Sequence, residues 1–171
     1  MGVEIERKFL ILNDSWRDAH VEPEILRQGY LSTDPDRTVR VRIADDRAWL
    51  TVKGRSRGDR RTEIEVAIPA PEALDMLALA KGLIVVKRRY CLPIGGFVWE
   101  IDEFVNENSG LVVAELEVGD EADFGRALAD PPSWLGRDVT DDVRLSNARL
   151  SEHPFVDWTD AERASLVARS S

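Results

Sequence analysis

Residues 38–44 read Thr38-Val39-Arg40-Val41-Arg42-Ile43-Ala44. Successive side chains on a β-strand point to opposite faces, so this stretch predicts one apolar face and one cationic face. The two guanidinium groups would lie roughly 6–7 Å apart on the same side. The same alternation recurs at 3–11, 25–32, 48–54, 61–68, 83–92, 97–105 and 111–119. These segments are rich in Val, Ile, Leu and aromatic residues, which suit a pleated surface. Turn chemistry separates them: Asp34-Pro35-Asp36, Asp45-Asp46, Arg57-Gly58-Asp59, Gly95-Gly96 and Asn108-Ser109-Gly110. Connections this short join antiparallel neighbours. Helical spacing is confined to 71–81, 120–129 and 159–169, the last opening on a Thr159/Glu162 capping box. The pattern predicts a mainly β (α+β) chain folded as an antiparallel barrel or sandwich with a few helices.

The polar faces of these strands are almost purely ionisable. Glu4, Glu6 and Lys8 share one face; Thr51 and Lys53 share another, as do Arg61, Glu63 and Glu65. Lys87 pairs with Arg89, Glu100 with Asp102, and Glu115 with Glu117 in the same way. The opposite faces carry Ile5 and Phe9, Leu50 and Val52, Ile64 and Val66, Val86, Ile101, Leu116 and Val118. Any one of these strands fits an ordinary solvated face of an antiparallel sheet. The whole set does not, because like charges side by side are destabilising unless an opposite charge sits between them. A metal cation resolves acidic pairs and a polyanion resolves basic ones. A site using both suits a metal and a polyphosphate.

Composition limits the alternatives. The chain has 171 residues, with 23 Lys and Arg against 32 Asp and Glu, a net charge of −9. That balance argues against general binding to nucleic acid or anionic membranes. The single cysteine, Cys91, excludes an internal disulfide framework, and it reads as a small apolar filler. Only two histidines, His20 and His153, leave little room for a His-rich zinc site or a catalytic triad. Charges in MGVEIERKF stand where a signal peptide needs an apolar stretch, and a cytoplasmic protein is expected. Carboxylates without Cys or His form a hard-oxygen site for Mg²⁺, Mn²⁺ or Ca²⁺. Arg grips phosphate oxygens through paired hydrogen bonds, and Lys adds a compact charge. No Gly-rich phosphate loop is present.

In these residues the chain resembles the CYTH superfamily, the triphosphate tunnel metalloenzymes, and within it the short bacterial inorganic triphosphatases. The resemblance rests on Glu4-Ile5-Glu6-Arg7-Lys8, Arg27-Gln28-Gly29-Tyr30-Leu31, Arg40-x-Arg42 and Leu50-Thr51-Val52-Lys53. It continues through Arg61-x-Glu63-x-Glu65, Lys87-Arg88-Arg89-Tyr90, Glu100-x-Asp102 and Glu115-Leu116-Glu117-Val118. It implies an eight-stranded antiparallel closed β-barrel whose charged residues line a tunnel. Residues 1–151 would form that domain, and 152–171 a C-terminal helical extension.

The resemblance further implies that Glu4, Glu6 and Glu117 hold Mg²⁺ or Mn²⁺. Arg40, Arg42, Lys53, Lys87 and Arg89 would clamp phosphate. Lys8 would lie beside the reactive phosphoryl group, with Glu63 and Glu65 orienting water or a second metal. Arg61, Glu100, Asp102 and Glu115 would line the same tunnel. The expected reaction is metal-dependent hydrolysis of inorganic triphosphate to diphosphate and phosphate. Rivals are a class IV adenylate cyclase, a nucleoside or thiamine triphosphatase, and a non-catalytic polyphosphate-binding module. No aromatic platform for a base is evident in the sequence. Apolar outer faces call for covering helices or a partner subunit, and a homodimer would serve.

Overall fold

The computed structural model describes residues 5–55 and 62–167. Nine strands occur among them: β1 (Ile5–Ile11), β2 (Glu24–Ser32), β3 (Arg37–Ala44), β4 (Arg47–Gly54) and β5 (Glu63–Ile68), then β6 (Lys81–Ile94), β7 (Phe97–Phe104), β8 (Val112–Val118) and β9 (Leu135–Asp138). The helices are α1 (Ala70–Ala78), α2 (Glu121–Ala127), α3 (Asn147–Glu152) and α4 (Asp160–Val167). The predicted strands and three predicted helices are present with shifted ends. The Thr159/Glu162 capping box is made: Thr159 N donates to Glu162 Oε2 at 2.8 Å, and Glu162 N donates to Thr159 Oγ1 at 3.2 Å.

The strands form one antiparallel sheet in the order β5-β4-β3-β2-β6-β7-β8-β1-β9. Eight strands closed into a barrel were expected; nine strands are seen, and no pairing of β5 with β1 occurs among the described residues. Among the described residues the sheet is open, with β5 and β9 at its two ends. β9 lacks an alternating pattern, being a four-residue strand whose sequence is Leu-Gly-Arg-Asp. It pairs with Phe9 and Ile11 and so occupies one half of the outer edge of β1. A fifth strand arriving at that edge would find only the Ile5–Arg7 half uncovered.

The sheet curls strongly even so. Glu6 on β1 and Lys53 on β4 interact electrostatically although five strands separate β1 from β4 in sheet order. The concave face carries the charges. Two apolar clusters cover the convex face: α1 lays Ala73, Met76 and Leu77 against Val41, Ile43 and Ala48, while Trp16, Phe124 and Trp134 pack on Phe9, Trp99, Ala114 and Leu116. Trp99 meets Phe9 and Trp134 edge to face at 5.8 and 5.7 Å, the arrangement that ring quadrupoles favour.

A third cluster fills one end of the concave face. Leu10, Val85, Phe104 and Val113 continue the rows of Lys8, Lys87, Asp102 and Glu115 by strand alternation. They pack against Val139, Leu145, Leu150, Phe155, Trp158 and Leu166. Residues 152–166 are therefore part of the core that closes this end of the charged face. Among the described residues no helix is long and apolar enough to cross a membrane.

Gly82 shows how closely the C-terminal segment is fitted. Its φ is +74°, and a Cβ there would lie 2.5 Å from the carbonyl oxygen of Ser151 in α3. Helix α1, expected to reach Lys81, ends at Ala78, and the chain then turns into β6. Gly82→Ala is expected to destabilise the fold by roughly 2–4 kcal/mol, combining left-handed backbone strain with the clash. Thermal unfolding followed by circular dichroism checks this.

Candidate active site

Strand register brings the charged residues into rows. Glu6 lies opposite Glu117 and Lys8 opposite Glu115. Glu115 in turn lies opposite Glu100, and Arg89 opposite Asp102. At the far end, Arg40 faces Thr51, Thr51 faces Glu65, and Lys53 faces Glu63. Arg7 and Arg88 alternate out of phase with these rows and pair on the convex side with Glu121 and Glu103. Glu4 and Arg61 lie outside the described residues.

The floor of the face is a buried, internally paired network. The Lys87 ammonium, 2% exposed, binds Asp102, which is fully buried. Arg89 donates from Nε and Nη2 to the two Asp102 oxygens, each at 2.7 Å. It also reaches Glu115 at 2.9 Å and pairs with Glu100. Lys8 Nζ lies 3.0 Å from Glu115 and donates to the Leu145 carbonyl at 3.2 Å. Burial alone would raise the Glu115 carboxyl, but Lys8, Lys87 and Arg89 hold it well below the usual carboxylate range. Burial pushes the Lys87 ammonium down, and the neighbouring Arg89 adds to that.

The opposite wall is differently balanced. Arg40 and Arg42 both approach Glu65, at the long distances of 3.4 and 3.5 Å. The Nε atoms of both guanidinium groups are buried with no hydrogen-bond acceptor among the described residues. Burial, with Arg40 beside it, lowers the Arg42 pKa below its ordinary value. Lys53 pairs with Glu63 at 2.9 Å. This wall carries positive charge with sparse internal compensation.

Toward the rim of the floor strands stand carboxylates suited to a hard cation. Burial raises the Glu6 pKa, and the nearby Glu115 raises it further against Lys8. Burial also raises Glu100, opposed by Arg89. Glu100 and Glu117 line a cavity of about 460 Å³ together with Phe97, Val98, Asp123 and Arg126. Among the described residues no three carboxylate, His or Cys side chains converge as a metal site. Glu6 and Glu117 supply two oxygen donors in facing register.

Several residues on this face carried no sequence assignment. Gln28 and Tyr30 are buried there, with Gln28 Nε2 donating to the Tyr30 hydroxyl at 2.9 Å. Burial pushes the Tyr30 phenol up to about 12. Trp49 lies opposite Arg42, whose guanidinium sits 5.3 Å from the indole ring. The face thus has an aromatic ring that the sequence did not make evident. Cys91 is exposed two positions after Arg89 and opposite Glu100, so it is not the apolar filler expected. The signal for Trp49 and Cys91 was phase, four residues from Lys53 and two from Arg89; Gln28 and Tyr30 are placed only by their register opposite Arg42 and Arg40.

Comparison with known proteins agrees with this geometry. An inorganic triphosphatase of Acetivibrio thermocellus is 42% identical over 161 residues, covering 94% of this chain and all of the relative. An inorganic triphosphatase of Nitrosomonas europaea is 36% identical over 151 residues, covering 86% of this chain and 96% of the relative. A crystal structure of an inorganic triphosphatase superposes with a TM-score of 0.65 at 32% identity, covering 88% of this chain and 95% of that one. The family model of the CYTH domain matches residues 2–138, a span that includes every charged row described above, and the chain belongs to the CYTH domain family.

Proposed function

We propose that this protein hydrolyses inorganic triphosphate to diphosphate and phosphate with the help of a divalent cation. One observation carries the reading: two adjacent half-buried guanidinium groups, Arg40 and Arg42, whose buried Nε atoms have no acceptor among the described residues. A buried charge without its full complement of partners is costly. A polyanion in the cleft would supply the missing oxygens, and paired N–H donors match phosphate geometry. The relatives named as inorganic triphosphatases support the same substrate.

In this reading Arg40, Arg42 and Lys53 grip the phosphate chain. Glu4, Glu6 and Glu117 hold Mg²⁺ or Mn²⁺, which suits an all-oxygen donor set. Two of those three lie in facing register, and Glu4 lies outside the described residues. The bound cation supplies charge neutralisation at the phosphoryl oxygens. Lys8, held by Glu115, projects toward the reacting phosphoryl group. Glu63 and Glu65 orient the attacking water. Lys87 and Arg89, with Asp102 and Glu115, hold the floor rigid and present one further cationic surface, while Glu100 marks the rim. Catalysis then comes from positioning and preorganised charge.

We further propose the closed barrel, with β5 meeting the edge of β1. In the sheet order β5 and β1 run antiparallel, and the Ile5–Arg7 edge of β1 is clear of β9 among the described residues. A cytoplasmic location is part of the same proposal. So is a homodimer, for which the exposed Ile64 and Val66 on the convex side of β5 offer an apolar surface.

Purified protein supplied with Mg²⁺ or Mn²⁺ is expected to release phosphate faster from triphosphate than from ATP or thiamine triphosphate, and to form no cyclic AMP. Tight triphosphate binding without turnover of any substrate would instead identify a binding module. Faster turnover of an organic triphosphate, lost in Trp49→Ala, would favour the nucleoside or thiamine reading. Glu6→Gln is expected to lower kcat by at least about 100-fold with triphosphate affinity changed less than about fivefold, whereas Arg42→Ala weakens affinity about tenfold and lowers kcat as well. Steady-state kinetics and calorimetric titration distinguish the two.

Glu115 also gives the protein an acid limit. Its carboxyl is held low in the folded state, so its contribution is present above the unfolded-state value near about 4.3 and is lost as pH falls toward the folded value. Denaturant unfolding is expected to show stability declining below about pH 4. Glu115→Gln removes the charge that Lys8 and Arg89 share, lowering stability at neutral pH and flattening the acid dependence.

A further inference from the structure

Thr51 is the fully buried polar side chain at the centre of the cationic wall. It sits on β4 between two groups that the neighbouring strands deliver in register, Arg40 from β3 and Glu65 from β5. Its hydroxyl donates to Glu65 Oε2 at 2.7 Å and accepts from Arg40 Nη2 at 3.1 Å. The direct contact between Arg40 and Glu65 is longer, at 3.4 Å. The short contacts of the triangle therefore both run through Thr51.

A guanidinium group turns about its long side chain, and a carboxylate on an end strand has neighbours on one side only. Glu65 lies on β5, an end strand whose residues Glu63 to Ala67 are all exposed. A β-branched side chain in a strand has few rotamers, so its hydroxyl is a stiff reference point. It holds one Nη of Arg40 and one oxygen of Glu65. The remaining guanidinium edge, including the buried Nε without an acceptor among the described residues, is left for a ligand.

We propose that Thr51 is a positioning residue for the reaction: its hydroxyl fixes Arg40 and Glu65 relative to each other so that the clamp and the water-orienting carboxylate face the same phosphoryl group. This rests on the triphosphatase reading given above. Thr51 itself touches no substrate in this role. It acts by restricting where two flexible charges point, which matters for rate because misplacement by about an ångström is costly.

Three variants test it. Thr51→Val keeps the branched shape and removes the hydroxyl, Thr51→Ser keeps the hydroxyl and removes the methyl, and Thr51→Ala serves if the valine variant does not fold. Removing hydrogen bonds to charged groups is expected to lower kcat for triphosphate roughly 10- to 100-fold, with KM rising less. Thr51→Ser is expected to recover most of the rate, which a packing role for the methyl group would not allow. In ¹⁵N-arginine spectra the Arg40 Nε–Hε resonance is expected to shift in the valine variant and to stay near its native position in the serine variant. Native kcat and KM in the valine variant, or a serine variant as slow as the valine one, would overturn the proposal. If the native protein turns over no triphosphate, the triphosphatase reading fails by itself. The Arg40 resonance still decides whether Thr51 positions that side chain, and an unmoved signal in Thr51→Val overturns the inference.

Discussion

The Arg89 guanidinium, held by Asp102, Glu115 and Glu100, is the interaction on which the other arrangements depend. Removing charges from water costs several kcal/mol per ion, and only good geometry with nearly complete hydrogen bonding offsets it. Here the carboxylates come from β7 and β8 and the cations from β6 and β1. A one-residue slip of any of these strands would send its charges to the convex side. It would put Leu92, Ile101 or Leu116 among the remaining ions. The network therefore specifies register among four strands, and register in turn fixes where Glu6, Glu117 and the cationic wall stand.

That coupling explains why the two walls of the cleft differ. The floor is neutralised from within, its cations and carboxylates paired with one another. The wall formed by Arg40 and Arg42 is compensated weakly, through one carboxylate at long range. A site meant to bind an anion tightly needs a rigid part that sets geometry and a part whose charge is still available. The net charge of −9 obscures this, because the surplus carboxylates of the chain do not lie on that wall. The acid-rich rim at Glu100 and Glu117 faces the open cavity instead.

The strands of the curled sheet were legible because alternation of Arg40, Val41 and Arg42 leaves little else for the chain to be. The same alternation located the charged face, including pairs that meet across it. What alternation does not carry is how the two ends of a sheet meet. β9 is four residues long and has no periodic signal, yet it takes half of the edge that a closed barrel would use. The C-terminal core residues Leu145, Leu150, Phe155 and Trp158 are spread over short helices and 3-10 turns, so no regular spacing announces that they pack together. Thr51 and Trp49 were hidden for another reason: a hydroxyl or an indole on a strand is ordinary until its neighbours across the sheet are known.

The packing of Leu145, Leu150 and Phe155 against Val85, Phe104 and Val113 has a kinetic meaning. It makes the concave face a cul-de-sac along its length. A linear anion entering along that axis meets this plug and cannot thread through. Chain ends, and not chain interiors, are then what this route presents to the buried cations.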